Sequence, residues 1–409
     1  MASETVLLVA ALAVFLYGLV SAGVEKRDIT PAIAALAAGA AIGFGLEAAG
    51  ASTAPERRDL MDGGGLAVLA ELALAIILFV DAASLRLPAL RREAAVPVRL
   101  LAIGLPLLVL AGWALAWWML ATTGAVALML ALILAPTDAA LSQPIFQERD
   151  TPAALRDGIN VESGLNDGLL LPIFLAVVAG LATGDGLSGR GWIVEAAAEI
   201  AIGAGIGVAA GWAGSRIADL AASKGLMEGR FEALAGVALA ISLYAGAELA
   251  GGNGFVAAFV GGLAATFTRG DLERRVEDYG ETESTLLAML TFLAFGALVL
   301  PVAIMHWDWR ALAYAVASLA VLRPVAVWLA LAGSGLPMAQ KLYAGWFGPR
   351  GIASVLYVLI AIRTLGWEPH GDLFAVAALT VTLSVVAHGL TARPLSRALA
   401  RRGTPQNRP

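Results

Sequence analysis

Residues 160–174 read NVESGLNDGLLLPIF, and they hold a contradiction that decides the fold. Leu169, Leu170, Leu171, Ile173 and Phe174 suit a membrane interior, yet Glu162 and Asp167 put two carboxylates beside them. At 100° per residue, Glu162 and Asn166 fall about 40° apart on a helix, as do Ser163 and Asp167, so the four share an arc of roughly 140°. Gly164 and Gly168 lie between them and admit another backbone at close range. A carboxylate at mid-bilayer costs several kcal/mol unless it is paired, hydrated or protonated. This face therefore looks onto a partner or a water-filled cavity. A stripe that merely glues two helices is the plainer reading, but four neighbouring polar groups, two of them acids, are too many for it.

The rest of the chain agrees with a membrane setting. It is 59% hydrophobic and only 14% charged, with a mean hydropathy of +0.80, too few polar side chains to cover a water-soluble surface. Apolar runs between charged or Gly/Pro breaks predict thirteen spans: 5–24, 29–46, 66–83, 98–120, 124–142, 157–181, 192–213, 231–249, 253–268, 285–305, 310–333, 338–362 and 371–391. Basic residues test the count, because cytoplasmic loops collect Lys and Arg. With the N-terminus outside and the C-terminus in the cytoplasm, twenty of the 27 basic residues fall on the cytoplasmic side, Lys26, Arg86, Arg149, Arg216 and Arg269 among them. Trp117, Trp118, Trp307 and Trp309 mark span ends, as interface-seeking rings do. Cysteine is absent, which excludes disulfides and Cys-ligated metal. The first apolar run reads as a retained helix, and residues 1–402 as one membrane domain followed by a short cytoplasmic tail, 403–409.

Two spans are interrupted. "APTDAA" places Pro136 inside the fifth, and "GWFGPRG" places Gly348, Pro349 and Gly351 inside the twelfth. Unwound backbone at membrane depth survives only where protein buries it or a cavity borders it. Interruptions at matching positions in two halves point to inverted repeats and a midplane site; spans five and twelve are seven apart, as are six and thirteen. A broken helix turns a positive and a negative end inward, which an acid and a base, Asp138 and Arg350, can balance. Arg350 is also the natural counter-ion for Glu162. Asp167 is then the acid with no obvious permanent partner, and in a cavity with dry walls a carboxylate holds a proton more tightly than in water. It can take a proton or a small hard cation, never both fully. Ser163 and Thr137 supply the further oxygens that a bare Na⁺ prefers, making Asp167, Ser163 and Thr137 the expected cation ligands. That competition is a mechanism for exchange.

In order and spacing, "PTDAA", "ESGLNDG", "GNGFVAAFVGGL", "GPRGIAS" and "VTLSVVAHGLTARPL" resemble the characteristic segments of monovalent cation/proton antiporters of the NhaP/NHE type, over nearly the whole chain. The resemblance implies an all-α fold with two crossed broken helices and a homodimer. It also implies scaffold and dimerisation helices over about 1–83 and 192–305, with an ion-transporting core over about 98–181 and 310–391. By motif, Asp167 is the ion- and proton-binding acid and Asn166 its partner. Glu162, Ser163, Thr137 and Asp138 match the surrounding network, and Arg350 matches the arginine facing the Glu. Asn before the key acid goes with electroneutral exchange in that family. His388 departs from it, standing where many relatives carry Gln, and either tunes a pH response or simply hydrogen-bonds. His306 and His370 read as solvated turn residues, and Arg323 as an arginine snorkelling from a span end.

Other classes fit less well. An intramembrane aspartyl protease could use Asp138 and Asp167, but its Gly-x-Gly-Asp pattern is missing, and three scattered histidines form no His-Glu-x-x-His metal site. A channel would use rings of groups around a symmetric pore. The sequence thus predicts an exchanger in the plasma membrane serving pH homeostasis. It would trade one Na⁺ or Li⁺ for one H⁺ by alternating access, with the cation as cargo, no resident cofactor and no nucleic-acid partner. The alternatives are a K⁺/H⁺ antiporter of the same fold, or a sodium-coupled symporter of a small organic anion.

Overall fold

Proline shapes several of the helices before any packing is considered. Its ring lacks an N–H and crowds the carbonyl four residues back, and a π-turn relieves this by widening the helix by one residue. In the computed structural model, which describes residues 2–25, 29–50, 64–84, 95–138, 153–184, 191–265, 282–283 and 285–403, π-turns at Leu100–Gly104, Phe295–Val299 and Ser318–Leu322 lead into Pro106, Pro301 and Pro324. The helices continue through all three. Starts are set by side-chain caps: Thr30 Oγ1 accepts from Ile33 N at 3.3 Å with Pro31 at the first position, Thr123 from Val126 N at 3.4 Å, and Asp308 from Ala311 N at 2.8 Å.

In chain order the helices are α1 (Ala2–Glu25), α2 (Pro31–Ala48), α3 (Gly64–Ser84), α4 (Ala95–Met119), α5 (Gly124–Ile133), α6 (Ala153–Ala182) and α7 (Gly191–Ser223). There follow α8 (Gly229–Leu249), α9 (Gly254–Ala264), α10 (Thr285–His306), α11 (Trp309–Ala330), α12 (Met338–Trp346), α13 (Ile352–Leu365) and α14 (Gly371–Gly403). No strand occurs among the described residues. Seven of these are long and apolar enough to cross a bilayer, within α2, α4, α6, α7, α10, α11 and α14; α1, α5, α8, α9 and α13 contain shorter apolar helices. The loop residues Lys26, Arg27, Arg57, Arg58, Arg86, Arg91, Arg92, Arg149, Arg190, Arg269, Arg274 and Arg275, the continuation of the fifth span beyond Asp138, and most of the tail lie outside the described residues.

The chain forms two compact units. The first takes residues 1–63, 92–166 and 288–409. Its α2 and α10 are bound through glycines: a Cβ on Gly39 or Gly43 would strike the backbone carbonyls of Leu293 or Ala297, and one on Gly296 that of Leu36. α14 runs through its interior, with Phe374, Ala377, Ala378, Val381 and Val385 wholly buried, and packs on α5, α11 and α13.

The second unit takes residues 64–91 and 167–287. Here α9 lies against both α7 and α3. Gly203, Gly207 and Gly211, one turn apart on α7, meet the carbonyls of Asn253, Ala257 and Gly261, and a Cβ on Gly262 would meet that of Phe79 on α3.

Candidate functional site

The first unit holds two helix interruptions that meet. α5 stops at Ile133, because Pro136 can neither donate to the helix nor let Ala135 stay helical. α12 stops at Trp346 and α13 starts at Ile352, with Gly348, Pro349 and Gly351 between. Backbone freed by one break is taken up by the other. Asp138 N donates to Pro349 O at 2.9 Å, and Asp138 Oδ2 accepts from Ile352 N at 3.0 Å. Arg350 Nη1 donates to Ala135 O at 3.1 Å and reaches Pro136 O at 3.4 Å. The aspartate thus sits at the positive start of α13 and the arginine at the negative end of α5. The glycines are required: a Cβ on Gly351 would run into the Asp138 carboxylate, and one on Gly348 into the Arg323 guanidinium.

The polar face of α6 lies against this crossing. Thr137 Oγ1 accepts from Asn166 Nδ2 at 2.7 Å and pairs with Ser163 Oγ at 3.0 Å, all three side chains buried. Asn166 Oδ1 is buried with no hydrogen-bond partner among the described residues. Thr137, Ser163 and Asn166, 29 residues apart at the extremes, are thereby gathered into one oxygen-rich cluster. Asp167 follows Asn166 on the same helix and is 8% exposed; it belongs to the second unit, where its neighbour Gly168 lies under the Phe259 ring.

The counter-ion of Glu162 corrects the expectation drawn from the sequence. Arg323 holds it in a two-pronged pair, Nη1 to Oε1 at 3.1 Å and Nη2 to Oε2 at 2.9 Å, with exposures of 3% and 2%. Arg350 makes its hydrogen bonds to the backbone of the α5 break instead. Arg323 is therefore no snorkelling residue: it lies inside α11, directly after the Ser318–Leu322 π-turn, and also reaches Phe347 O at 3.4 Å. An arginine seven residues before a helix end, followed by proline, carried the signal, but hydropathy alone does not separate it from an end-of-span arginine.

The histidines also differ from expectation. His306 Nδ1 lies 2.8 Å from Asp372 Oδ1, and His370 is held below the usual histidine range by burial. Both line a cavity of about 380 Å³ with Asp308, Arg310 and Asp372. Among the described residues no three His, Asp or Glu side chains are arranged to hold a metal ion. A cation in the Thr137 cluster would be met by hydroxyl and amide oxygens, a donor set suited to a weakly held alkali ion rather than to a transition metal.

Comparison with known proteins gives a consistent result. A solved structure of the sodium proton antiporter MjNhaP1 from Methanocaldococcus jannaschii shares the fold, with a TM-score of 0.78 over 98% of this chain and 100% of that one, at 22% identity. The K(+)/H(+) antiporter NhaP of Alkalimonas amylolytica is 30% identical over 334 residues, 81% of this chain and 57% of that protein. The Na(+)/H(+) antiporter NhaG of Bacillus atrophaeus is 26% identical over 68% of this chain and 53% of that protein. The chain thus spans little more than half the length of the curated relatives it matches. Residues 3–398 match the family described as "Sodium/hydrogen exchanger, transmembrane", and the chain belongs to that family.

Proposed function

We propose that the chain exchanges one Na⁺ or Li⁺ for one H⁺ by alternating access, with Asp167 as the carboxylate for which the two compete. The observation that carries this reading is the Thr137 hydroxyl held between Ser163 and Asn166 at the helix break. It sets uncharged oxygens at the point in the chain where Asp167 follows. Ser163 and Asp167 lie one turn apart on α6, about 40° around its axis, so a cation bound by the acid can also draw on the serine. Glu162 already has its charge balanced by Arg323, which leaves it a scaffold for the Ser163 turn. One acid that swaps a proton for a monovalent cation conserves charge, hence the one-for-one stoichiometry. We place the exchanger in the plasma membrane as a homodimer, N-terminus outside.

The test is purified protein in liposomes with a preset inward-acid pH gradient. Adding Na⁺ or Li⁺ should release protons, and Asp167→Asn should abolish the release; release that persists in the variant removes Asp167 from the mechanism. The relative named as a K(+)/H(+) antiporter, at 30% identity, favours a second reading in which K⁺ is the cargo. Release by K⁺ at lower concentration than by Na⁺ would select it.

A further inference from the structure

Three side chains on one face of α14, Ser384, His388 and Thr391, reach the α12–α13 interruption. Ser384 Oγ accepts the Arg350 N–H at 2.7 Å. His388 Nε2 lies 2.9 Å from Trp346 O, and its Nδ1 lies 3.0 Å from Ser384 Oγ. Thr391 Oγ1 accepts the Trp346 indole N–H at 2.9 Å, and Ser396 Oγ pairs with the Tyr343 hydroxyl at 2.7 Å. Positions 384, 388 and 391 are four and three apart, so they share a helix face. Trp346 is the last residue of α12, where a carbonyl has no partner in its own helix. The Arg350 amide lies on the other side of the break. Ser384 and His388 therefore bind both sides of it.

A hydrogen count shows which form of the histidine keeps the chain of bonds to Arg350 intact. Trp346 O only accepts, so Nε2 carries a hydrogen. Ser384 Oγ already accepts from Arg350 and has its own hydrogen to give, and Nδ1 stands ready to accept it. A neutral imidazole protonated at Nε2 completes every link: Arg350 N–H to Ser384, Ser384 O–H to His388 Nδ1, His388 Nε2–H to Trp346 O. Nδ1 also lies 2.8 Å from Ser384 O, so an imidazolium would donate there and leave the Ser384 hydroxyl hydrogen without His388 as its acceptor, while the Arg350 N–H bond to Ser384 stays. An imidazolium would also add a positive charge within electrostatic reach of Arg350 and Arg323, of which Arg323 is ion-paired with Glu162. The Trp346 ring covers the imidazole, centroids 4.9 Å apart, and the side chain is 2% exposed.

We propose that His388 is a positioning residue, a neutral clamp that holds the helix break at fixed width. Through Ser384 it fixes the Arg350 backbone, and so the register in which Arg350 and Gly351 meet the α5 break beside Thr137. It is not a proton sensor. The proposal rests on the exchange reading only for its transport arm.

The chain has three histidines, so ¹⁵N-histidine labelling of the full protein in lipid resolves them, with His388→Gln identifying the signal. The expected spectrum shows His388 protonated at Nε2 and bare at Nδ1 at both pH 6 and pH 8.5; a doubly protonated or Nδ1–H ring at either pH overturns the proposal. Glutamine also offers one acceptor and one donor, so His388→Gln should keep the backbone amides of 347–352 protected and leave half-saturating Na⁺ within about twofold. His388→Leu should speed their hydrogen exchange by about tenfold or more while the protein stays monodisperse. Unchanged protection in His388→Leu refutes the clamp. Should that variant not fold, Ser384→Ala, which removes the hydroxyl joining Arg350 to His388 and leaves the His388–Trp346 bond, reads the same amides with the same two outcomes. If the ring and amide results hold but wild-type liposomes exchange nothing, the transport reading fails alone.

Discussion

Glu162 and Arg323 face each other with both prongs made and almost no water access. Two charges in that position are expensive to bring out of water, and their mutual attraction offsets the cost only while both are present. Removing one partner leaves a naked buried charge, so Arg323→Ala is expected to destabilise the protein by about 3–5 kcal/mol. The same substitution strips a donor from Phe347 O. Replacing both charges, Glu162→Gln with Arg323→Met, should be much milder than either single change with its stranded partner. Thermal unfolding of the four proteins in one detergent checks this: additive losses would mean that the two side chains do not act as a pair. Arg350 is a different case, because its partners are neutral carbonyls. Arg350→Ala frees the Ala135 and Pro136 carbonyls and is expected to lower both folded yield and transport. Normal yield with lost transport would instead assign Arg350 a direct ionic part.

At the scale of elements, close helix approach depends on where glycine falls around the axis. On α7, Gly207 has the Ala257 carbonyl 2.7 Å from where a Cβ would stand, whereas Gly205, two residues away, has open space. Alanine favours a helix over glycine by about 1 kcal/mol, so Gly205→Ala should be neutral or stabilising. Gly207→Ala must push α9 away and should cost about 1–3 kcal/mol, the usual penalty of overpacking. Equal melting temperatures for the two variants would remove the glycine stripe as the cause of α7–α9 contact. The sequence displays these glycines but not their facing carbonyls, since a one-dimensional pattern names a helix's small face without naming its neighbour. The interruptions at Pro136 and Pro349 were legible because proline and glycine act locally. The polar face of Glu162, Ser163, Asn166 and Asp167 was legible because four residues of one helix share a period. The partner of Glu162 was not. A π-turn at Ser318–Leu322 adds a residue and rotates all that follows by about 100°, which moves Arg323 to a face that regular helical counting does not assign it. The clamp at His388 was hidden for a related reason: its partners, Trp346 and Arg350, are fixed by how α14 lies along α12, and neither is near it in sequence.

For the molecule as a whole, the proposed function has an electrical consequence. If Asp167 carries either one proton or one monovalent cation, the loaded protein bears the same charge in both directions, and a complete cycle moves no net charge. A potential of 100 mV is worth about 2.3 kcal/mol per elementary charge crossing the full field, which converts to roughly 50-fold in rate when that crossing limits turnover. Exchange of two protons per cation would expose the cycle to such a force. One-for-one exchange exposes the complete cycle to none. The buried ions of the first unit do not change this count: Glu162 and Arg323 are joined to each other, and a fixed charge such as Arg350 that is displaced in one half-cycle returns in the other. The measurement is Na⁺-driven proton release in liposomes at 0 mV and at 100 mV of either sign, the potential set with an ionophore for an ion the protein does not carry. Rates within about twofold of one another are expected. A rise of tenfold or more with one polarity would show that a second proton travels, and a further acid besides Asp167 would then have to titrate in every cycle.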